Sequence, residues 1–322
     1  MKKRICIFAA VLAILLLGLS GCAPAPREAT GFSLNTVVSV RTWGGGESLP
    51  QEALALCSEY EHRFSRTLPD SEIYALNHAN GQPLSLSEDT ARLLALAGEY
   101  HDLSGGAFDV TIAPVSELWD FSGTPRVPAE DELAEALGKV GFANLTLSGQ
   151  EAHISGGGEI DLGGIAKGYI SQKLADFLRA EGAERAIVNL GGNVVVFGGE
   201  QKPFSVAIQK PFGGSGEYAM TLYVSEGAVV TSGTYERGFE QGGVWYHHIL
   251  DPATGMPART GLDSVTVITD DAARGDALST VCFLLGEERG MALIESLPEC
   301  EAVFIREDGG IVTTSGIDRY LK

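Results

Sequence analysis

Three short segments of this chain bring together oxygen, nitrogen and flexible backbone in spacings suited to handling phosphate. The run Asp161-Leu162-Gly163-Gly164-Ile165-Ala166-Lys167-Gly168-Tyr169 places glycines and one cation where a helix is expected to begin. Glycines let backbone N–H groups approach a ligand, a helix N-terminus is electropositive, and Lys167 adds a full charge. The same run also reads as an ordinary strand-to-helix turn in which glycine is chosen for its dihedral freedom. It is not a P-loop, because Lys167 is followed by Gly168 rather than Ser or Thr, and no strand-linked G-x-G-x-x-G occurs.

Asp276 and Thr280 stand four residues apart in a helical pattern, so their oxygens share one face. A carboxylate and a hydroxyl suit a hard cation such as Mg²⁺, which prefers oxygen ligands and often binds together with substrate phosphates. The plainer reading is an acidic residue near a helix start and a threonine bonded back to its own helix. The third segment, Thr231 to Arg237, is followed by Tyr246-His247-His248-Ile249-Leu250-Asp251-Pro252-Ala253-Thr254-Gly255. His248 has the titration range of a general base. His247 alternates with it and is expected to face the other way, and Asp251-Pro252 is also a turn signal.

The elements that must position these groups indicate an α+β protein, with mixed β-sheets and packed helices. Phe32 to Val40 alternates like a strand, and Pro50 to Phe64 has helical periodicity. Ser85 and Glu88 form a candidate capping box before a helix that Gly105-Gly106 would end. A short helix is expected over Pro128 to Leu137 and a hairpin over Asn144 to Ser155. The Gly-rich run then opens a helix reaching Ala180. Strands follow at Ala186 to Val196, Phe204 to Gln209, Met220 to Val224, Val244 to Ile249 and Ser264 to Ile268. Two helices, Ala272 to Leu285 and Glu287 to Leu297, precede a closing strand pair.

The N-terminus reads as an export signal. Met1-Lys2-Lys3-Arg4 precedes an apolar stretch from Ile5 to Leu19 and then Ser20-Gly21-Cys22. The stretch is short for a membrane span, and small residues precede a cysteine in place of an ordinary cleavage site, as in a bacterial lipoprotein. The expected organisation is a signal peptide over 1–21, a lipidated tether over 22–30 beginning at Cys22, and one domain over 31–322. Without the signal the chain keeps 20 of its 23 basic side chains and all 42 acidic ones, a net charge near −22. That excess makes nucleic acid an unsuitable partner, and a phosphate ligand needs a local cation. The remaining cysteines, Cys57, Cys282 and Cys300, form no C-x-x-C pair.

Taken together, the segments resemble the ApbE-type FAD:protein FMN transferases over essentially the whole mature chain. The matching stretches, in order, are Ala107-Phe108-Asp109-Val110-Thr111-Ile112-Ala113-Pro114 with Leu118-Trp119, Asp161 to Tyr169, Asn189 to Asn193, Thr231 to Arg237, His248 to Gly255 and Asp276 to Thr280. The resemblance implies an ApbE-like flavin transferase fold and transfer of FMN from FAD to a Thr or Ser hydroxyl of a target protein. The product is a phosphodiester, AMP leaves, and Mg²⁺ is required. It further implies a metal site of Asp276, Thr280 and the Gly164 carbonyl. Leu34, Ala107, Phe108, Asp109, Asp161, Lys167 and Leu250 would form the FAD site, with His248 as the base. Implied acceptors are flavin-carrying subunits of membrane redox complexes or extracytoplasmic flavin reductases, beside which the lipid anchor would hold the enzyme on the extracytoplasmic face of the cell membrane. An FAD pyrophosphatase and a flavin-binding lipoprotein without turnover are the alternatives. The chain departs from the family pattern at Leu34-Asn35-Thr36, where Met-Gly-Thr is common, and at Thr67, where an aromatic is common.

Overall fold

The computed structural model describes residues 25–214 and 216–322, so Cys22 and the expected signal segment lie outside the described residues. The frame is an eight-stranded antiparallel sheet whose strands follow one another in chain order. They are Arg27–Ser33, Thr36–Gly44, Ala183–Leu190, Asn193–Phe197, Gly227–Gly233, Leu262–Thr269, Glu301–Arg306 and Ile311–Thr313. Both faces are covered at strands Gly227–Gly233, Leu262–Thr269 and Glu301–Arg306, whereas Glu28, Thr30, Phe32, Val37 and Arg41 of the first two strands are exposed. Along Glu301–Arg306, Ala302 and Phe304 join the main core, whereas Val303 and Ile305 join a second core with Val206, Ile208 and Leu222. That second core lies under the hairpin of Phe204–Gln209 and Tyr218–Val224. Alternate residues of one apolar run thus serve two cores, which is why this strand carries no polar face.

Helix Ala272–Leu285 is buried along most of its length, and Asp276 and Ser279 are its buried polar residues. A helix that is apolar all round belongs in a core, and a carboxylate inside one requires partners. The partner comes from helix Ala166–Ala180, which crosses closely at Gly168. A Cβ there would lie 2.2 Å from the Ala272 carbonyl oxygen and 2.5 Å from the Asp276 Cβ. Gly168→Ala should therefore force the helices apart, costing about 3 kcal/mol by overpacking and lowering Tm in a thermal melt. A melt equal to the parent's would contradict the close crossing.

The α+β expectation holds, and several boundaries differ. Phe32 to Val40 is not one strand: Leu34 and Asn35, with φ of 55° and 56°, form a two-residue hairpin turn between Arg27–Ser33 and Thr36–Gly44. Such a turn leaves the apolar alternation unbroken, and Leu-Asn lacks the glycine that usually marks it. Glu61 holds the turn, accepting from the Leu34 backbone N–H at 2.8 Å and from the Ser33 hydroxyl at 2.5 Å. The expected Ala186 to Val196 strand is likewise two strands joined at Gly191-Gly192. The tether boundary also moves, because residues 27–30 pair with Thr42 to Ser39 and belong to the sheet. The cap of helix Glu88–Ser104 is Ser87 rather than Ser85, its hydroxyl accepting from the Thr90 N–H. Cys57, Cys282 and Cys300 are free and buried. Among the described residues, no helix is long and apolar enough to cross a membrane.

Candidate active site

A cleft of about 930 Å³ opens at the end of the sheet where the Leu34–Asn35 and Gly191–Gly192 turns lie, a size suited to a dinucleotide. These turns touch, because a Cβ on Gly191 would meet Thr36. Every residue expected in the FAD, metal and base sites among the described residues lines this one cleft: Leu34, Ala107, Phe108, Asp109, Asp161, Gly164, Lys167, His248, Leu250, Asp276 and Thr280. They arrive from turns, loops, a helix start and the interior of helix Ala272–Leu285, far apart in sequence.

One corner is built of oxygens. The Asp276 Oδ2 accepts the Gly168 N–H at 2.7 Å. That N–H is thereby diverted from the Gly164 carbonyl, its usual i−4 partner, which accepts no hydrogen bond among the described residues. Gly164 also packs beside Thr280, since a Cβ there would lie 3.6 Å from the Thr280 Cγ2 and 2.9 Å from the Phe108 ring. One carboxylate, one bare carbonyl and one hydroxyl fit the preferences of a hard divalent cation. Among the described residues no three His, Cys, Asp or Glu side chains gather as a metal cage. The corner therefore suits a cation whose remaining ligands come from substrate phosphates and water.

Helix Ala166–Ala180 starts beside this corner and aims its N-terminus, with Lys167 as its second residue, into the cleft. Asp161 organises the preceding turn, accepting from the Gly163 N–H at 2.8 Å while pairing with Arg66 Nε at 3.1 Å. Arg66 also reaches Glu117 at 3.0 Å, so it ties two walls of the cleft together. The Asp109 carboxylate turns into its own loop, accepting from the Thr111 N–H at 2.8 Å and hydroxyl at 2.7 Å. It shapes the cleft wall by holding that loop. Asp251 does the same for its turn, accepting from the Ala253 N–H and the Thr254 hydroxyl.

The two adjacent histidines divide as alternation requires. His247 is buried, its Nε2 bonded to the Ala258 carbonyl at 3.0 Å and its ring edge-on to Phe283. His248 faces the cleft, and its Nδ1 lies 3.1 Å from the Arg237 carbonyl. A carbonyl only accepts, so Nδ1 carries the proton and Nε2 keeps a free lone pair. Withdrawal from water, with the Arg237 and Lys167 charges acting in the same direction, lowers the imidazole to about 3. Glu236 lies in the same field. Withdrawal from water raises its carboxyl, Asp276 raises it further, and Lys167 and Arg237 oppose this; because the side chain opens on the cleft, solvent screens the effect.

Sequence reasoning did not single out Glu61 or Arg66, and it held Ser232 only as one residue of the Thr231 to Arg237 segment. Each acts through a partner 27 or more residues away in the chain, which no local pattern reveals.

The fold and cleft define an α+β protein whose dinucleotide-sized cleft lies between a helix N-terminus and an oxygen-lined corner. The family model described as the ApbE family matches residues 34–304, and the chain belongs to that family. It is similar to the FAD:protein FMN transferase of Treponema pallidum, at 32% identity over 95% of this chain and 93% of that protein. One from Klebsiella pneumoniae is 33% identical, over 88% of this chain and 90% of its own. Among solved structures, an ApbE protein of Thermotoga maritima superposes with a TM-score of 0.84 at 32% identity, over 92% of this chain and all of that one. The flavin transferase ApbE of Vibrio cholerae gives 0.82 at 29% identity, over 92% and 99% of the two chains.

Proposed function

We propose that this protein transfers FMN from FAD to a Thr or Ser hydroxyl of an acceptor flavoprotein, releasing AMP. The observation that carries the reading is the meeting, in one cleft, of a histidine with a free Nε2 lone pair and an oxygen-lined corner beside a helix N-terminus. The acceptor oxygen attacks the FMN-side phosphorus and an O–P bond forms. The bond from that phosphorus to the bridging oxygen breaks, and AMP leaves with that oxygen. The hydroxyl proton passes to His248 Nε2. The anionic pyrophosphate offsets the positive field of Lys167 and Arg237, which raises the basicity of His248 when substrate is bound.

Mg²⁺, held by Asp276, Thr280 and the Gly164 carbonyl, would neutralise the pyrophosphate and the charge developing on the leaving group. Lys167 and the N–H groups of the helix start bind and orient the phosphates. Phe108 and Leu250 wall the cleft with apolar surface, and Leu34 borders it from its turn. The purified domain is tested with FAD and Mg²⁺, with and without acceptor. AMP only with acceptor supports transfer, AMP without acceptor makes the protein a pyrophosphatase, and no AMP in either case makes it a binder.

The acceptors in this reading are flavin-carrying subunits of membrane redox complexes or extracytoplasmic flavin reductases, and Cys22 carries the lipid that holds the enzyme beside them. Support comes from the lipoprotein-like Leu19-Ser20-Gly21-Cys22 and from the position of Arg27, five residues on. Arg27 begins the strand whose far end is the cleft-lining turn, about 20 Å away at ~3.3 Å per residue, so the tether meets the domain away from the cleft mouth. The mature N-terminal residue is expected to be a lipid-modified cysteine by mass spectrometry, with release from membranes in Cys22→Ser. Any other mature N-terminus contradicts the anchor.

A further inference from the structure

We infer that Ser232 is a positioning residue that orients the Thr280 hydroxyl, making it an acceptor toward a divalent cation. The inference rests on the cation corner proposed above and adds a residue outside its ligand set. Three hydroxyls form a chain at that corner, two of them lining the cleft, Thr280 and Ser232, and the third, Ser279, buried behind them. The Thr280 Oγ1 lies 3.1 Å from the Ser232 Oγ, which lies 2.8 Å from the Ser279 Oγ. The Ser279 hydroxyl in turn donates to the Asp276 backbone carbonyl at 2.9 Å.

The chain has a direction because its last member can only accept. Each hydroxyl has a single proton. The Ser279 proton is committed to the Asp276 carbonyl, so the Ser232 proton goes to Ser279 and the Thr280 proton goes to Ser232. That leaves the Thr280 oxygen with lone pairs and no proton toward the cleft. Ser279 is fully buried, so water does not compete for its end of the chain.

Without Ser232 the Thr280 proton loses its fixed acceptor and is free to turn toward the cation, where its partial positive charge opposes binding. Ligands are oriented by such outer partners generally, and losing one typically weakens metal binding 10- to 100-fold. Ser232 comes from strand Gly227–Gly233 and Thr280 from helix Ala272–Leu285, so the contact also ties the sheet to the helix carrying Asp276.

The test uses Mn²⁺ as the probe, titrated into the protein with FAD and no acceptor and followed by electron paramagnetic resonance. Ser232→Ala is expected to raise the Mn²⁺ Kd at least about 10-fold, and Ser232→Thr, which keeps the hydroxyl, to restore most of it. A metal-free melt accompanies each variant, because a merely structural role lowers Tm and leaves the Kd unchanged. A Ser232→Ala Kd within twofold of the parent overturns the inference while Asp276→Ala still loses Mn²⁺. If Asp276→Ala binds Mn²⁺ like the parent, or the parent binds none, the cation corner itself is wrong and the inference falls with it.

Discussion

Asp276→Ala is expected to abolish flavin transfer, by a factor of 10³ or more, while the protein stays folded. A bound divalent cation contributes several kcal/mol of transition-state charge stabilisation, and each 1.36 kcal/mol is a factor of ten in rate. The structural cost is smaller. The substitution strands the Gly168 N–H, a penalty of roughly 1–3 kcal/mol. The helix itself is held by buried apolar neighbours such as Leu278, Val281 and Phe283. Chelation of the parent should reproduce the loss. Full activity of the variant at limiting Mg²⁺ removes Asp276 from the cation corner, and collapse of its circular dichroism spectrum makes the carboxylate a folding element instead.

The second large effect is expected at His248. His248→Asn should lower the saturated single-turnover rate by roughly 10²-fold or more, the lower range for a positioned acid–base group, and change FAD affinity little. The acceptor hydroxyl is a poor nucleophile until its proton leaves, whereas ground-state binding rests on Lys167, the helix start and the cation. The pH dependence adds a second reading. In the free protein this imidazole is held down to about 3, so it stays neutral and proton-accepting as pH falls from 8 to 5. kcat/KM should therefore show no loss attributable to His248 over that range. An unchanged saturated rate with weakened FAD binding would make His248 a binding residue.

Much of this was legible in the sequence, for reasons that differ between elements. Pro50 to Phe64 was readable from its helical periodicity and Ala272 to Leu285 from a continuous apolar run of helical length, both local signals, and the structure ends them within a residue. The turns at Leu34-Asn35 and Gly191-Gly192 were not, because a two-residue turn preserves alternation through the break. The site residues were legible as a set only because six separated motifs occur in one order. Their partners were not legible. The Gly168 N–H reaches Asp276 across 108 residues, and Ser232 reaches Thr280 across 48. Gly168 illustrates the limit. In sequence it reads as flexible backbone at a helix start, whereas in the fold it is a point of close helix contact and the donor that fixes the carboxylate.

Group transfer from FAD to a protein hydroxyl is read out by intact-mass analysis of an acceptor flavoprotein alongside AMP release. One AMP is expected for each acceptor that gains one FMN through a Thr or Ser phosphodiester, with both products lost on chelation of Mg²⁺. AMP appearing without any gain of mass on the acceptor, or mass gained without AMP, would contradict it.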